Sequence, residues 1–535
     1  MKHRRRMAPQ DATMYWLSAR TRNDLFLLYA FADRGVPTAV LRERIQQRST
    51  EIPDLTVRVR TVPRDLDYPS WEPCGFRTDQ VVEHSARDWA QIHDVVGELL
   101  GTGVNAADRP WRLHLFRGVA DVPGAPGLAT VAVLQMSHAL ADGTRAAAIA
   151  RALFAPESPG GRPESARPVG GENARLVAVE NARPVGGENA RPVGGENARP
   201  VGVESARLVA VENARLVGGG NTRPVAVGMA RPVAVELGRR GVFGMVRRVA
   251  GEVPLGDVLE LVGGVLRMPG QVLRTVVRGL RAFRAQQALA ELTAVGELPG
   301  PGPSYRPSAV NPAGAVDDSA HRVRMLVRDS AELKVPGRTV TVVVLTAVSI
   351  ALTEYLHRLG TPVNESGAQV PMAMPGDAAT RNNYRSLGVD LCLDEPDLRR
   401  RADKITRALA ERRARAVHPL LCAQDRVTDV TPAALLHRDL DRYPLDSVPA
   451  AIAGHTVVSS VHRGPADLTF GGPALFTAGF PAVGSVMHLT HGVHGLGATV
   501  TISIHADSRV IPDIDAYTHL LDAALRTVVT GRASR

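Results

Sequence analysis

From Glu164 to Val235 the chain is a tandem array of about nine copies of an octapeptide resembling Glu-Asn-Ala-Arg-Pro/Leu-Val-Gly/Ala-Gly/Val. A period of eight matches neither the heptad nor the 11-residue repeat of supercoiled helices. It also matches none of the common solenoid periods. Proline recurs at Pro168, Pro184, Pro192, Pro200, Pro224 and Pro232, often with glycine close behind. Each copy offers only one or two valines for burial, too little to offset the entropy of ordering eight residues. A disordered linker grown by duplication, residues 156–238, is therefore expected rather than a ligand-binding array. Its Glu and Arg roughly cancel, so it is not a basic arm either. The 535-residue chain must fold from what lies on either side of it.

Apolar residues make up 44% and charged residues 22%, which allows a sizeable core and excludes wholesale disorder. Aromatics are only 4%, so that core is built from Val, Leu, Ala and Ile. Before the array, residues 8–155 alternate strand and helix patterns. Apolar stretches at 24–31, 111–116 and 128–136 read as strands, with 55–62 as an alternating strand. Residues 38–47, 89–100 and 141–154 have helical spacing. After it, residues 301–535 repeat the recipe, with strands at 321–327, 457–461 and 498–505 and helices at 339–357, 396–413 and 514–530. The alternation means α/β or α+β in two similar halves. Between them, 239–300 reads as an amphipathic helical segment.

The net charge of +10 favours anionic partners, but the surplus is not gathered into a nucleic-acid-like block. Cys74, Cys392 and Cys422 are too few and too scattered for a disulfide framework or a metal site, and read as buried thiols of a reducing compartment. The basic start, Lys2 to Arg6, meets Gln10 and Asp11 at once and lacks the apolar run of a signal peptide. The apolar run Val340 to Leu352 is short for a spanning helix. A cytoplasmic, soluble or peripherally membrane-associated protein is expected. His488, His491, His494 and His505 crowd a Gly-rich stretch read as turns, and their spacing resembles no zinc signature.

The sharpest local signal is Ser137-His138-Ala139-Leu140-Ala141-Asp142-Gly143. An apolar strand ending at Met136 delivers His138 to a strand end. Asp142 can cap the following helix, and Gly143 would permit a tight turn. An imidazole held there can act as a general base. Taken alone, a histidine at a strand end is more often structural.

The wider sequence changes that balance. The segment resembles the H-H-x-x-x-D-G motif of the CoA-dependent acyltransferase superfamily. The chain as a whole looks like the bacterial wax ester synthase/diacylglycerol acyltransferase family. The resemblance is carried by Met7 to Met14, Arg109 to Leu115, Val370 to Met374 with Asn382-Asn383, Val458 to Val461, and Ala506 to Asp515. It implies an α/β fold of two chloramphenicol-acetyltransferase-like halves, with His138 midway along a tunnel between them. It implies that His138 deprotonates a hydroxyl that attacks a fatty acyl-CoA, that Asp142 holds the loop through an arginine, and that Ser137 and Gly143 meet substrate. Acyl-CoA is then a co-substrate, with a lipid alcohol as acceptor, a membrane or lipid-droplet surface as the meeting place, and no resident cofactor, metal or nucleic acid. Three positions depart from the family pattern. Ser137 replaces the first histidine, Thr341-Val342 replaces an Asn-Asp pair, and Pro375 stands where an arginine is usual, leaving Arg381 or Arg385 to brace Asp142. These changes leave two rivals: a superfamily acyltransferase with a polyketide, glycolipid or amine acceptor, and a catalytically weak lipid-binding homologue.

One further pattern stands out. After Pro269, the residues Val272, Leu273, Val276, Val277, Leu280 and Phe283 form one helical stripe, with Arg274, Arg278, Arg281 and Arg284 largely off it. Such a helix either packs its stripe on the protein or lies on anionic lipid.

Overall fold

A computed structural model describes residues 5–156, 255–375 and 380–531, with side chains described for all of these except 255–269. The octapeptide array lies outside the described residues, as do the rest of the expected linker beyond residue 156 and residues 239–254.

In the first part the elements run β1 (Arg5–Arg6), α1 (Pro9–Leu17), β2 (Leu25–Ala32), α2 (Thr38–Glu51), β3 (Val57–Arg60), β4 (Ser70–Pro73), β5 (Val81–His84), α3 (Trp89–Leu100), β6 (Trp111–Val119), β7 (Ala129–Met136) and α4 (Gly143–Leu153). Then come α5 (Leu255–Ala294), β8 (His321–Asp329), α6 (Val340–Arg358), β9 (Gly367–Ala373), β10 (Tyr384–Asp390) and α7 (Leu398–Ala416). The chain closes with α8 (Cys422–Thr428), α9 (Ala433–Asp441), β11 (Thr456–His462), β12 (Ala474–Gly479), β13 (Leu489–Leu496), β14 (Thr499–Asp507) and α10 (Ile514–Thr530).

The strands make two large mixed sheets. The first has the order β12-β2-β7-β6-β5 and the second β10-β9-β11-β13-β14-β8, while β1, β4 and β3 form a small third sheet. The fold is α/β in two chloramphenicol-acetyltransferase-like halves. All eight residues of β7 are buried, because sheet neighbours flank it and helices or strands cover both faces. That is why it reads in the sequence as a continuous apolar run rather than an alternating one. In the second half, α6 and α10 lie together against the sheet, with Tyr355 and Tyr517 edge to face at 5.5 Å. Helix α6 is long and apolar enough to cross a bilayer, yet two thirds of it is buried in this core.

The halves are stitched rather than merely linked. Strand β12 belongs to the later part of the chain but pairs antiparallel with β2 in the first sheet. Residues of α9 join the core of the first half, and Val323 and Met325 of β8 share a core with Phe26, Leu28 and Ile92. Glycines make these crossings possible. A Cβ at Gly101 of the α3 terminus would stand 1.9 Å from the Asp318 carbonyl oxygen, and one at Gly492 would stand 2.3 Å from that of Gly479. The glycines at 492 and 495, expected in turns, lie inside β13: at Gly492 the two sheets come too close for a side chain, and at Gly495 the His462 ring of neighbouring β11 fills the space. Of the three cysteines, all free, only Cys392 is buried; Cys74 and Cys422 are half-buried.

Helix α5 corrects the packing expectation. It meets α8 through the face bearing Thr275, Arg278, Ala282, Ala285 and Leu289. Thr275 Oγ1 hydrogen-bonds the Val430 carbonyl at 3.0 Å, and Arg278 reaches the Arg426 carbonyl at 2.7 Å and Asp429 at 3.8 Å. The Val/Leu stripe points outward, with Val272, Leu273, Val276, Val277 and Leu280 between 39% and 65% exposed.

Candidate active site

The strand β7 ends at Met136, and the next six residues form a loop pinned at both ends. Ser137 N donates to the Pro110 carbonyl at 2.8 Å, and Leu140 N donates to that of Ser137 at 2.9 Å. At the far end Asp142 is the N-cap of α4, its Oδ1 accepting from Arg145 N at 2.9 Å. Its Oδ2 accepts from Asn383 N at 3.0 Å, and its own amide donates to the Arg381 carbonyl at 3.0 Å. Asp142 thus ties the loop to the segment 380–383 of the second half through backbone amides. The expected ion pair is absent: among the described residues Asp142 has no arginine partner, Arg381 pairs with Asp54, and Arg385 pairs with Asp425.

The segment 380–383 is itself held by α1. The buried Asp11 carboxylate accepts from Arg381 N at 3.0 Å and from Asn382 N at 2.9 Å. Burial pushes its pKa up to about 6 despite these bonds. The Arg381 guanidinium lies 4.5 Å over the Trp71 ring, and donates to the Leu140 carbonyl at 3.2 Å and to Asp54 at 2.6 Å. Asp54 also takes a two-pronged contact from Arg145 at 2.8 Å. Burial alone would raise the Asp54 pKa, but Arg145 and Arg381 outweigh it and hold the carboxylate below its usual range.

These ties place His138. Its Nδ1 lies 2.8 Å from Asn382 Oδ1. Asn382 Nδ2 donates to the His138 carbonyl at 2.8 Å and to Asp11 at 3.1 Å. With the amide nitrogen committed to two acceptors, Oδ1 must accept, so the ring proton sits on Nδ1. Nε2 then carries the lone pair and has no hydrogen-bond partner among the described residues. Burial lowers the His138 pKa below 6.5, partly offset by its own backbone, Asn382 and Asp142, so the ring is neutral at physiological pH. The Tyr384 ring lies 5.9 Å from the imidazole. Asn382 and Tyr384 both line a cleft of about 250 Å³ that opens to solvent.

The other expected site residues fare differently. Ser137 is buried, and its hydroxyl accepts from Ala139 N at 3.4 Å. Gly143 is the first residue of α4 and has no positive φ. Its neighbour in space is Val461 of β11, 3.6 Å from where a Cβ would stand. Glycine is therefore present for openness rather than for a turn. Thr341, at the start of α6, donates to Ser460 Oγ at 2.9 Å. The histidines of β13 and β14 are far more enclosed. His488 is bound to Asp507 and the Pro312 carbonyl, His491 to Thr456 and Tyr517, and His505 to His321 and the Pro481 carbonyl. Asn382, Asp11, Asp54 and Tyr384 were not legible as site residues. Asn382 is 244 residues from His138, and only the docking of the two halves brings them together.

Two stitched α/β halves thus meet at one strand-end histidine. Residues 7–264, just under half of the chain, match the wax ester synthase/diacylglycerol acyltransferase catalytic domain. The chain's fold is similar to that of the wax ester synthase/diacylglycerol acyltransferase from Marinobacter aquaeolei VT8, at 15% identity and a TM-score of 0.53, covering 98% of this chain and 99% of that one. The first condensation domain of the calcium-dependent antibiotic synthetase, solved with a substrate analogue, is 14% identical with a TM-score of 0.48, covering 99% and 96%. No curated protein sequence matches the chain.

Proposed function

We propose that this acyltransferase moves a fatty acyl group from an acyl-CoA to the hydroxyl of a lipid, a diacylglycerol or a long-chain alcohol. The observation that carries the reading is the Asn382 lock on His138, which fixes the proton on Nδ1 and leaves Nε2 free as a base. Nε2 takes the proton of the acceptor hydroxyl as its oxygen attacks the thioester carbonyl. The tetrahedral adduct collapses, the C–S bond breaks, and the departing thiolate takes the proton back from Nε2. Ester and free thiol result, and the imidazole is regenerated. Asp142 positions the loop, and the open space at Gly143 leaves room beside it. Histidine supplies the base, so the chemistry draws on no resident cofactor.

The acceptor's poor solubility fits the outward stripe of α5, which we assign to a membrane or lipid-droplet surface. Beside it a notch of about 300 Å³ is lined by Arg278, Arg281 and Arg426, a basic setting for anionic headgroups. Changing Leu273 and Leu280 to Gln is expected to reduce cosedimentation with anionic vesicles while leaving turnover of detergent-dispersed substrate intact. Undiminished sedimentation would remove the surface assignment. The transfer itself is tested with labelled acyl-CoA and a panel of acceptors. Ester formation that requires His138 supports the reading. Amide formation from an amine acceptor would move the protein to the first rival, and no transfer at all to the second.

A further inference from the structure

The cleft beside His138 runs along β10 from Tyr384 to Gly388, about 13 Å of extended strand. Its other wall is the last turn of α7 with the segment 301–302. The charged residues lining it are three arginines, Arg385, Arg412 and Arg415, against one carboxylate, Asp425. Asp425 is taken by Arg385. The other two arginines have no carboxylate as close among the described residues. Arg415 donates to Thr293 Oγ1 at 3.0 Å and the Pro299 carbonyl at 2.8 Å, and Arg412 donates to the Gly300 carbonyl. The nearest carboxylate to Arg412 is Glu411, at 3.9 Å and pointing to solvent. Arg412 Nε is buried with no hydrogen-bond partner among the described residues.

A structural role explains only part of this. Cations at a helix C-terminus do offset its dipole, and the two guanidiniums do clamp 299–300. Neither accounts for two guanidiniums on the wall of a cleft whose carboxylate partners among the described residues amount to Glu411 at 3.9 Å, a balance that an arriving anion would improve. Guanidinium forks fit phosphate oxygens.

We propose that Arg412 and Arg415 receive the phosphate groups of the acyl donor, a coenzyme A thioester. Its extended pantetheine arm would lie along β10 and bring the thioester past Tyr384 to His138. This rests on the reading of His138 as the acyl-transfer base and adds which mouth the donor uses.

The test is calorimetric binding of CoA, dephospho-CoA and pantetheine to the full chain, with and without the double change Arg412→Gln and Arg415→Gln. CoA is expected to bind the double variant at least about tenfold more weakly, with a flatter salt dependence, and pantetheine equally to both. A phosphopantetheine borne on a carrier protein lacks the nucleotide phosphates. CoA and dephospho-CoA weakened alike would therefore assign the site to the phosphates nearest the pantetheine, which either donor supplies. A larger effect on CoA would assign it to the CoA nucleotide. Unchanged CoA affinity overturns the proposal. Should the Gln variant fail to fold, Arg412→Lys with Arg415→Lys keeps the charge but loses the fork. A loss of CoA affinity without a loss of melting temperature then supports the site, and full affinity overturns it. Binding is measured without turnover, so a His138→Ala protein that binds CoA normally separates failure of this site from failure of the proposed base.

Discussion

The molecule holds histidine in two settings, one half-buried and one fully buried. One is His138, in the loop after β7; the other is the set His488, His491 and His505 in and beside β13 and β14. Burial pushes His138, His491 and His505 down from the ordinary value, His491 to about 4 and His505 to about 3. What separates the groups is the second ring nitrogen. In His488, His491 and His505 both nitrogens are occupied by protein, whereas in His138 Asn382 holds one and the other is left open. An open nitrogen alone does not mark a base, because His321 Nε2 and His494 Nδ1 are unpaired too, but those atoms are sealed from solvent whereas His138 is half-buried.

The largest expected effect tests that distinction directly. His138→Ala should lose about 10²–10⁴-fold in ester formation while its melting temperature stays near wild type. His491→Ala should do the reverse, leaving Thr456 and Tyr517 short of a partner at about 1–3 kcal/mol for a buried group. Its turnover per folded molecule should be unchanged. Equal activity losses in the two variants would erase the comparison.

Next comes the lock. Asn382→Ala frees the imidazole to rotate or change tautomer, and a loss of order 10²-fold in kcat with little change in CoA affinity is expected. An intact rate would show that the loop alone orients the ring.

The pH response of stability is a smaller effect, and its sign follows from the shifts. His93, His114, His321 and His491 are lowered to about 4, and His505 to about 3, each chiefly by burial. Below pH 6.5 the unfolded chain takes up protons on these rings and the folded chain does not, so stability falls with pH. Asp11 and Asp24, raised to about 6 by burial, act oppositely: the folded state binds their protons first, between about pH 6 and 4. Five histidines outweigh two aspartates, so the melting temperature should drop from pH 7 to pH 5. His505→Gln should flatten that slope, and a rising melting temperature on acidification would contradict the assignment. Turnover should fall in acid only below pH 6.5, as His138 protonates.

The smallest effect belongs to Asp142. Removing the cap in Asp142→Ala should cost about 1 kcal/mol and lower activity through a looser loop, read from denaturant unfolding beside turnover. Wild-type stability with abolished activity would instead put Asp142 against the substrate.

Much of this was present in the residues. The runs read as strands at 24–31 and 128–136 are strands at 25–32 and 129–136 because their apolar residues are continuous, and helices at 89–100 and 514–530 follow from spacing that one buried face imposes. His138 stood out because Ser137 to Gly143 resembles the H-H-x-x-x-D-G motif; its place at a strand end would by itself have read as structural. The sequence by itself therefore determined the two α/β parts, the position of the candidate base and the long repeat between them. It could not determine how the parts meet. Strand β12 joins the first sheet, and glycines inside β13 and at the end of α3 let backbones touch, because close approach between distant segments leaves no local period to read. The partner of His138, the brace around Asp142 and the arginine-lined cleft all lie at that meeting. They are held by residues hundreds of positions apart, so only tertiary packing decided them.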